Sequence, residues 1–239
     1  MKRFLKFAFF ILLGLLIIAG IGFYVWSQQT YAASSNIEEW IGEVDTDDGW
    51  VVFEPDGEPE GGVVLYPGAK VEPEAYSYIA EQLSEAGYVA GVPNVRLNLA
   101  LLNANKAQEL VDRYPDIEEW YVGGHSLGGV AAATFAREKN ADGVIFLASY
   151  PTEGSSFAGT DTPVLSIYAE QDGLSTPAKI EETKAYLSDE AELHEIEGGN
   201  HAQFGVYGEQ KGDNQADISV KEQQDEIVEV ITDWLEAQK

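Results

Sequence analysis

The chain has 239 residues, 45% of them hydrophobic, with 14 Lys and Arg against 41 Asp and Glu, a formal charge of −27 and no cysteine. That balance excludes a nucleic-acid binder working by phosphate neutralisation, which needs clustered cations. The lack of cysteine excludes disulfides, thiolate nucleophiles and thiolate-bound metals, and acids interleaved with Trp, Tyr, Val and Leu exclude wholesale disorder.

Lys2, Arg3 and Lys6 precede an uncharged apolar stretch of 20 residues, 7–26. At about 1.5 Å per residue a helix of that length crosses a hydrocarbon core of roughly 30 Å. It has no polar face, so it does not read as a core helix. The leading cations, with Tyr24 and Trp26 at the far end, predict a single-pass anchor in the cell membrane. Residues 1–6 are then a cytoplasmic tail, 7–26 the membrane span, 27–37 a short tether, and 38–239 one extracytoplasmic domain. The alternative is a secretory signal peptide cut near Ala32 and Ala33, which would release the domain. A stretch of 20 exceeds the roughly 7–15 apolar residues of such a peptide and favours the anchor. With the three leading cations set aside, 11 basic residues face 41 acids, a net of −30. A field of that sign disfavours anionic substrates on approach.

Apolar runs bounded by turn signals follow at 50–53, 62–66, 88–92, 120–122, 144–148, 164–168 and 192–196. The five middle runs barely alternate, as strands covered on both faces do. Helix-like stretches 73–86, 99–114, 127–139, 177–187 and 220–237 are spaced among them. In the last, Ile227, Val228, Val230, Ile231, Trp234 and Leu235 form an apolar stripe amid acids. Strand–helix alternation with short connections predicts one α/β domain with a mostly parallel central sheet flanked by helices.

Gly124-His125-Ser126-Leu127-Gly128 follows the 120–122 run and opens an Ala-rich helix. Strand, tight turn and helix are the setting a G-x-S-x-G nucleophile elbow requires. Ser126 must take a strained conformation to project its hydroxyl, so bulky neighbours two away are not tolerated. The hydroxyl needs a base, and the chain has three histidines. His125 lies inside the elbow beside Ser126, and His194 alternates within a strand. His201, in the Gly-rich Gly198-Gly199-Asn200-His201 loop after the last strand, is the expected base. Asp172, after the 164–168 run, is the expected partner of its imidazole; Glu170 is a rival, and Asp161 lies before the strand. Leu127 N–H and a second amide from Tyr66-Pro67-Gly68-Ala69, with Ala69 the first choice, would hold a developing oxyanion. Gly68, His125, Tyr150 and Phe204 are candidate pocket residues. The acidic 208–217 segment and Asp45–Gly49 lack calcium-loop spacing, so no metal and no cofactor is expected.

The chain from about 50 to 237 resembles the α/β-hydrolase superfamily, and within it the small, cap-poor branch similar to dienelactone hydrolases. Tyr66-Pro67-Gly68, Gly124–Gly129, Asp172-Gly173 and Gly199-Asn200-His201 carry the resemblance, in the order Ser126, Asp172, His201. The 200–208 stretch also looks like a narrower group of membrane-anchored bacterial hydrolases. The nucleophile is Ser rather than the Cys of true dienelactone hydrolases, so their reaction is not implied. Only 149–163 stand where many relatives insert a lid, which weighs against interfacial action on long-chain lipids. The resemblance implies an extracytoplasmic serine esterase acting on a small ester or related acyl compound through a Ser-His-Asp triad. The expected partners are that substrate and the bilayer. Alternatives are a catalytically silent binding or scaffold protein of the same fold, and an acyltransferase using the same acyl-enzyme. Oligomeric state is left open.

Overall fold

The computed structural model describes residues 2–239; Met1, which begins the expected cytoplasmic tail, lies outside them. Helix α1 (Lys2–Ser27) projects from the domain and over Arg3–Ser27 is long and apolar enough to cross a membrane, with Ser27 at its end buried. Burying a large aliphatic or aromatic side chain is worth about 1.5–3 kcal/mol. A helix that leaves Phe4, Phe10, Leu16 and Ile18 more than half exposed therefore gains little of that from the domain.

Residues 27–37 do not run free. Tyr31 N–H donates to Lys70 O at 2.7 Å, Glu72 N–H to Tyr31 O at 3.0 Å, and Ser34 N–H to Val206 O at 2.7 Å. Tyr31 thereby forms a parallel bridge with Val71. Short helix α2 (Asn36–Ile41) buries Ile37, which packs with Tyr78 and Val206.

The domain is built on strands β1 (Trp50–Phe53), β2 (Gly61–Tyr66), β3 (Tyr88–Pro93), β4 (Trp120–His125), β5 (Gly143–Leu147), β6 (Val164–Ala169) and β7 (Glu192–Ile196). They form one sheet in the order β1-β3-β2-β4-β5-β6-β7. Only edge strand β1 is antiparallel, to β3; the five other pairings are parallel. β2 to β5 are buried along their whole length, which explains why those runs do not alternate. Helices α3 (Ser77–Glu85) and α7 (Val220–Ala237) cover one face around Leu65, Ile145 and Ile167. Helices α4 (Ala107–Arg113) and α5 (Leu127–Lys139) cover the other around Val64, Val122 and Phe146. Helix α6 (Pro177–Thr183) follows β6.

Three expected helices are partly 3-10 turns, at Pro73–Tyr76, Ala100–Lys106 and Lys184–Tyr186. The Ala100–Lys106 turn is kinked at Asn103, at φ −150°. The connection from β5 to β6 holds a single 3-10 turn, Glu153–Ser155, and no cap. The chain leaves β2 toward β3 on one side and returns to β4 on the other. The carboxyl ends of β2 and β4 therefore flank the point where winding reverses, the place where such sheets form a crevice.

Candidate active site

Ser126 sits in that crevice. It joins β4 to α5 at φ 52°, ψ −120°, a conformation that costs a non-glycine residue about 1–3 kcal/mol. Packing and hydrogen bonds hold it there. Ser126 N–H donates to Leu147 O at 2.9 Å and Gly129 N–H to Ser126 O at 3.1 Å. Ser149 Oγ donates to the same carbonyl at 2.6 Å. The glycines of the motif are dictated by crowding, from backbone atoms at Gly124 and Gly128 and mainly from the Ser149 side chain at Gly129. A Cβ at Gly124 would lie 2.5 Å from Gly128 C, one at Gly128 2.2 Å from Tyr66 O, and one at Gly129 2.4 Å from Ser149 Oγ. The same crowding packs the first turn of α5 against Tyr66 and Pro67. Leu127, as the first residue of α5, has an N–H with no carbonyl a turn earlier in the helix.

The 66–70 loop presents one free amide. Gly68 N–H donates to Tyr76 Oη at 2.9 Å and Lys70 N–H to Asn98 O at 2.8 Å. Between them, half-buried Ala69 has an N–H with no backbone acceptor among the described residues.

Asp172 and His201 meet at the carboxyl ends of β6 and β7, with His201 Nδ1 2.8 Å from Asp172 Oδ2 and both side chains essentially fully buried. Asp172 Oδ1 accepts from Leu174 N–H at 2.7 Å and Ser175 N–H at 2.6 Å, which satisfies a buried carboxylate. An ionised Asp172 only accepts, so the proton of a neutral His201 stands on Nδ1 and Nε2 carries the lone pair. That Nε2 is buried and unpartnered among the described residues, so it is not hydrogen-bonded to Ser126. Its ring centroid lies 4.5 Å from that of His125, the neighbour of Ser126. The rival Glu170 is exposed and accepts from Gly198 N–H. Asp161 lies at the opposite end of the sheet, bordering a cleft of about 430 Å³.

Braces that sequence reading missed hold the two loops. Asp213 Oδ1 accepts from Gly173 N–H at 3.0 Å and its Oδ2 from Ala202 N–H at 2.8 Å, tying the Asp172 loop to the His201 loop. Gln223 of α7, fully buried, accepts from Asn200 N–H at 3.0 Å and donates to Asn200 O at 2.8 Å. Gln224 Nε2 donates to Gln203 O at 2.7 Å. The acidic 208–217 segment, whose role the sequence left open, thus contributes an intramolecular clamp.

The expected pocket residues separate. Tyr150 is half-buried near the rim. Gly68, His125 and Phe204 are buried, and His125 stacks on Phe204 at 5.9 Å. These three form a packed floor instead of an open wall. Two clefts, of about 240 and 430 Å³, border the His201 loop at Asn200, Gln203 and Glu209; Ser126 lines neither.

In that floor, Tyr76 Oη accepts from Gly68 N–H and lies 2.8 Å from His125 Nδ1. Burial pushes the Tyr76 phenol well above its usual range, so it stays protonated and donates to Nδ1. Burial, followed by the neighbouring His201, holds His125 well below the usual imidazole range. His125 is therefore neutral in the folded chain and titrates only after unfolding. Its contribution to stability is complete above pH about 6.5 and is lost as pH falls below that value, by up to about 1.4 kcal/mol per pH unit. Urea midpoints between pH 7 and 5 should fall less steeply for His125→Asn than for the unaltered chain; parallel slopes would refute this assignment.

A family model described as the alpha/beta hydrolase family matches residues 62–225, more than half of the chain. The chain belongs to this family. No curated protein sequence matches it. Among solved structures, this alpha/beta hydrolase is similar to an alpha/beta hydrolase enzyme from the metagenome of sediments from the lagoon of Mar Chica, Morocco. The two share 16% identity over 82% of this chain and 99% of that one, with a TM-score of 0.59. An alpha-beta serine hydrolase homologue from Coxiella burnetii shares 14% identity over 80% of this chain and 95% of that one, TM-score 0.58. Est1E from Butyrivibrio proteoclasticus shares 15% over 80% and 97%, TM-score 0.58. At these identities the likeness fixes the alpha/beta hydrolase fold alone, and family and neighbours together support a hydrolase.

Proposed function

We propose that this alpha/beta hydrolase is a membrane-anchored serine hydrolase of the small, cap-poor type, cleaving an ester or related acyl compound outside the cytoplasmic membrane. The observation that carries the reading is the buried hydrogen bond from His201 to Asp172, on the same strand edge as the strained Ser126. Ser126 Oγ attacks the acyl carbonyl while His201 Nε2 takes the hydroxyl proton, and Asp172 stabilises the imidazolium that forms. Leu127 and Ala69 N–H groups receive the carbonyl oxygen as it becomes anionic. His201 returns the proton to the leaving alcohol, and the acyl group stays on Ser126. Water then attacks with His201 again as base, releasing the acid and restoring the Ser126 hydroxyl. His201 Nε2, unpartnered among the described residues, meets the Ser126 hydroxyl when the substrate complex tightens such contacts. Exposed apolar α1 behind Arg3 and Lys6 supports the anchor.

Fluorophosphonate labelling with mass-spectrometric mapping tests the reading. A single adduct on Ser126 is expected, with labelling slowed at least about 100-fold in His201→Ala, the lower bound for loss of a general base. No adduct on Ser126, or equal labelling of the variant, would reject it.

A further inference from the structure

We infer that the rim of the sheet bearing Ser126, Asp172 and His201 rests on the bilayer that holds α1, and that the site takes lipophilic acyl esters from that bilayer. The inference rests on the anchored serine-hydrolase reading above and names its substrate class.

The end of α1 is docked on this rim. Asn98 Nδ2 donates to Ser27 O at 2.9 Å, and Lys70 Nζ donates to Trp26 O at 3.4 Å and lies 4.5 Å over the Trp26 ring. The domain thereby supplies partners for carbonyls that a helix C-terminus leaves open. Lys70 directly follows Ala69, the free amide of the site. Where α1 leaves the hydrocarbon, the catalytic edge therefore begins. Trp26 and Tyr24 are the aromatic residues that mark such a boundary.

Outside α1, the large apolar side chains exposed among the described residues are Leu101, Leu102 and Leu174. Leu101 and Leu102 follow Asn98 in the 3-10 turn Ala100–Lys106. Leu174 stands two residues after Asp172, its N–H bonded to that carboxylate. All three belong to connections leaving the carboxyl ends of parallel strands, the edge that carries the site. On a water-facing surface nothing covers them; against lipid they enter the interfacial layer.

Charge agrees. In a chain with 41 acids, no Asp or Glu occurs from Ala86 to Gln108, a stretch that carries Arg96 and Lys106. The part of the rim next to the end of α1 is thus free of acids and can meet anionic headgroups, while Glu170 and the acidic 208–217 segment stand farther along the same rim. The short β5–β6 connection, which by sequence weighs against interfacial action on long-chain lipids, has the opposite consequence once the rim itself is seated on the bilayer: with no lid, a lipophilic ester held there reaches the half-buried Ser126 without a cap having to open.

The chain lacks cysteine, which makes single-site labelling direct. The full chain is reconstituted in phosphatidylcholine–phosphatidylglycerol vesicles with brominated acyl chains. A fluorophore is placed at Leu102→Cys, Leu174→Cys, or exposed Glu190→Cys at the other end of the sheet. Quenching at 102 and 174 and none at 190 is expected. In Leu101→Glu/Leu102→Glu, turnover of a water-soluble acetyl ester should stay within about twofold, while turnover of a long-chain ester carried in the vesicles falls tenfold or more. Equal quenching at all three positions, or proportional loss on both esters, overturns the inference. If soluble-ester turnover persists while 102 and 174 go unquenched, the docked rim is wrong and the serine-hydrolase reading stands. If quenching holds but no ester is turned over in a Ser126-dependent way, the hydrolase reading fails and takes the substrate assignment with it.

Discussion

Replacing Asp172 by Asn should lower kcat for any ester this protein hydrolyses by about 10⁴ while leaving the fold intact. The carboxylate performs two separable tasks. Oδ1 accepts the Leu174 and Ser175 amides, and an Asn side chain can keep both with its carbonyl oxygen. Oδ2 accepts from His201 Nδ1, and there Asn presents an N–H donor. Nδ1 must then accept, which moves the ring proton to Nε2 and removes the lone pair that would take the Ser126 proton. Glu170→Gln is the control, since exposed Glu170 accepts from Gly198 N–H and touches neither ring nor hydroxyl; its kcat should be nearly unchanged. Steady-state kinetics on the three proteins decide the matter. A kcat for Asp172→Asn within tenfold of the unaltered chain would remove Asp172 from the mechanism.

Gly128→Ala should damage stability and turnover together. The added methyl would lie 2.2 Å from Tyr66 O and 2.6 Å from Pro67 O. Both are backbone atoms, so relief requires α5 to move away from the 66–69 loop. Overpacking of this kind costs about 1–3 kcal/mol, and a shift of about 1 Å between groups that must converge costs on the order of 10² in rate. The displaced pair would be the Leu127 and Ala69 amides. Gly154→Ala is the reference, because its Cβ meets only Thr152 Oγ1, at 3.9 Å, and should fall within about 0.5 kcal/mol. Urea midpoints in detergent micelles, with kcat measured on the same samples, read both effects. A Gly128→Ala protein with unaltered kcat would mean that the apposition of α5 and the 66–69 loop is not used in turnover.

Much of this architecture was legible because its causes are local. Uninterrupted apolar runs such as 144–148 reflect strands covered on both faces, and Gly124 meets Gly128 and Gly129 within one turn of chain, although Gly128 also meets Tyr66 and Pro67 and Gly129 meets Ser149. The illegible parts depend on partners far apart in sequence. Gln223 lies four residues before Ile227 on the buried stripe of α7, a polar intruder that the pattern could have flagged, but its partner Asn200 is set only by the closed fold. Asp213 looked like one acid among many until Gly173 and Ala202 were brought to it. Tyr76 and His125 join across 49 residues, which no local period records. The 99–114 stretch has helical composition, yet Asn103 leaves helical geometry and the first half becomes a 3-10 turn. Residues 27–37 read as a spacer because pairing of Tyr31 with Val71 has no local signature.

On the proposed topology, that pairing bears on how the chain is processed after export. Ala32 and Ala33, the small residues that would invite a signal peptidase, lie between Tyr31, bridged to Val71, and Ser34, whose amide is tied to Val206. A protease must draw several residues into its own cleft in extended form, and the folded domain withholds them. On that topology, cutting at Ala32–Ala33 would have to outrun folding: a molecule that closes its sheet before a peptidase arrives shields that site.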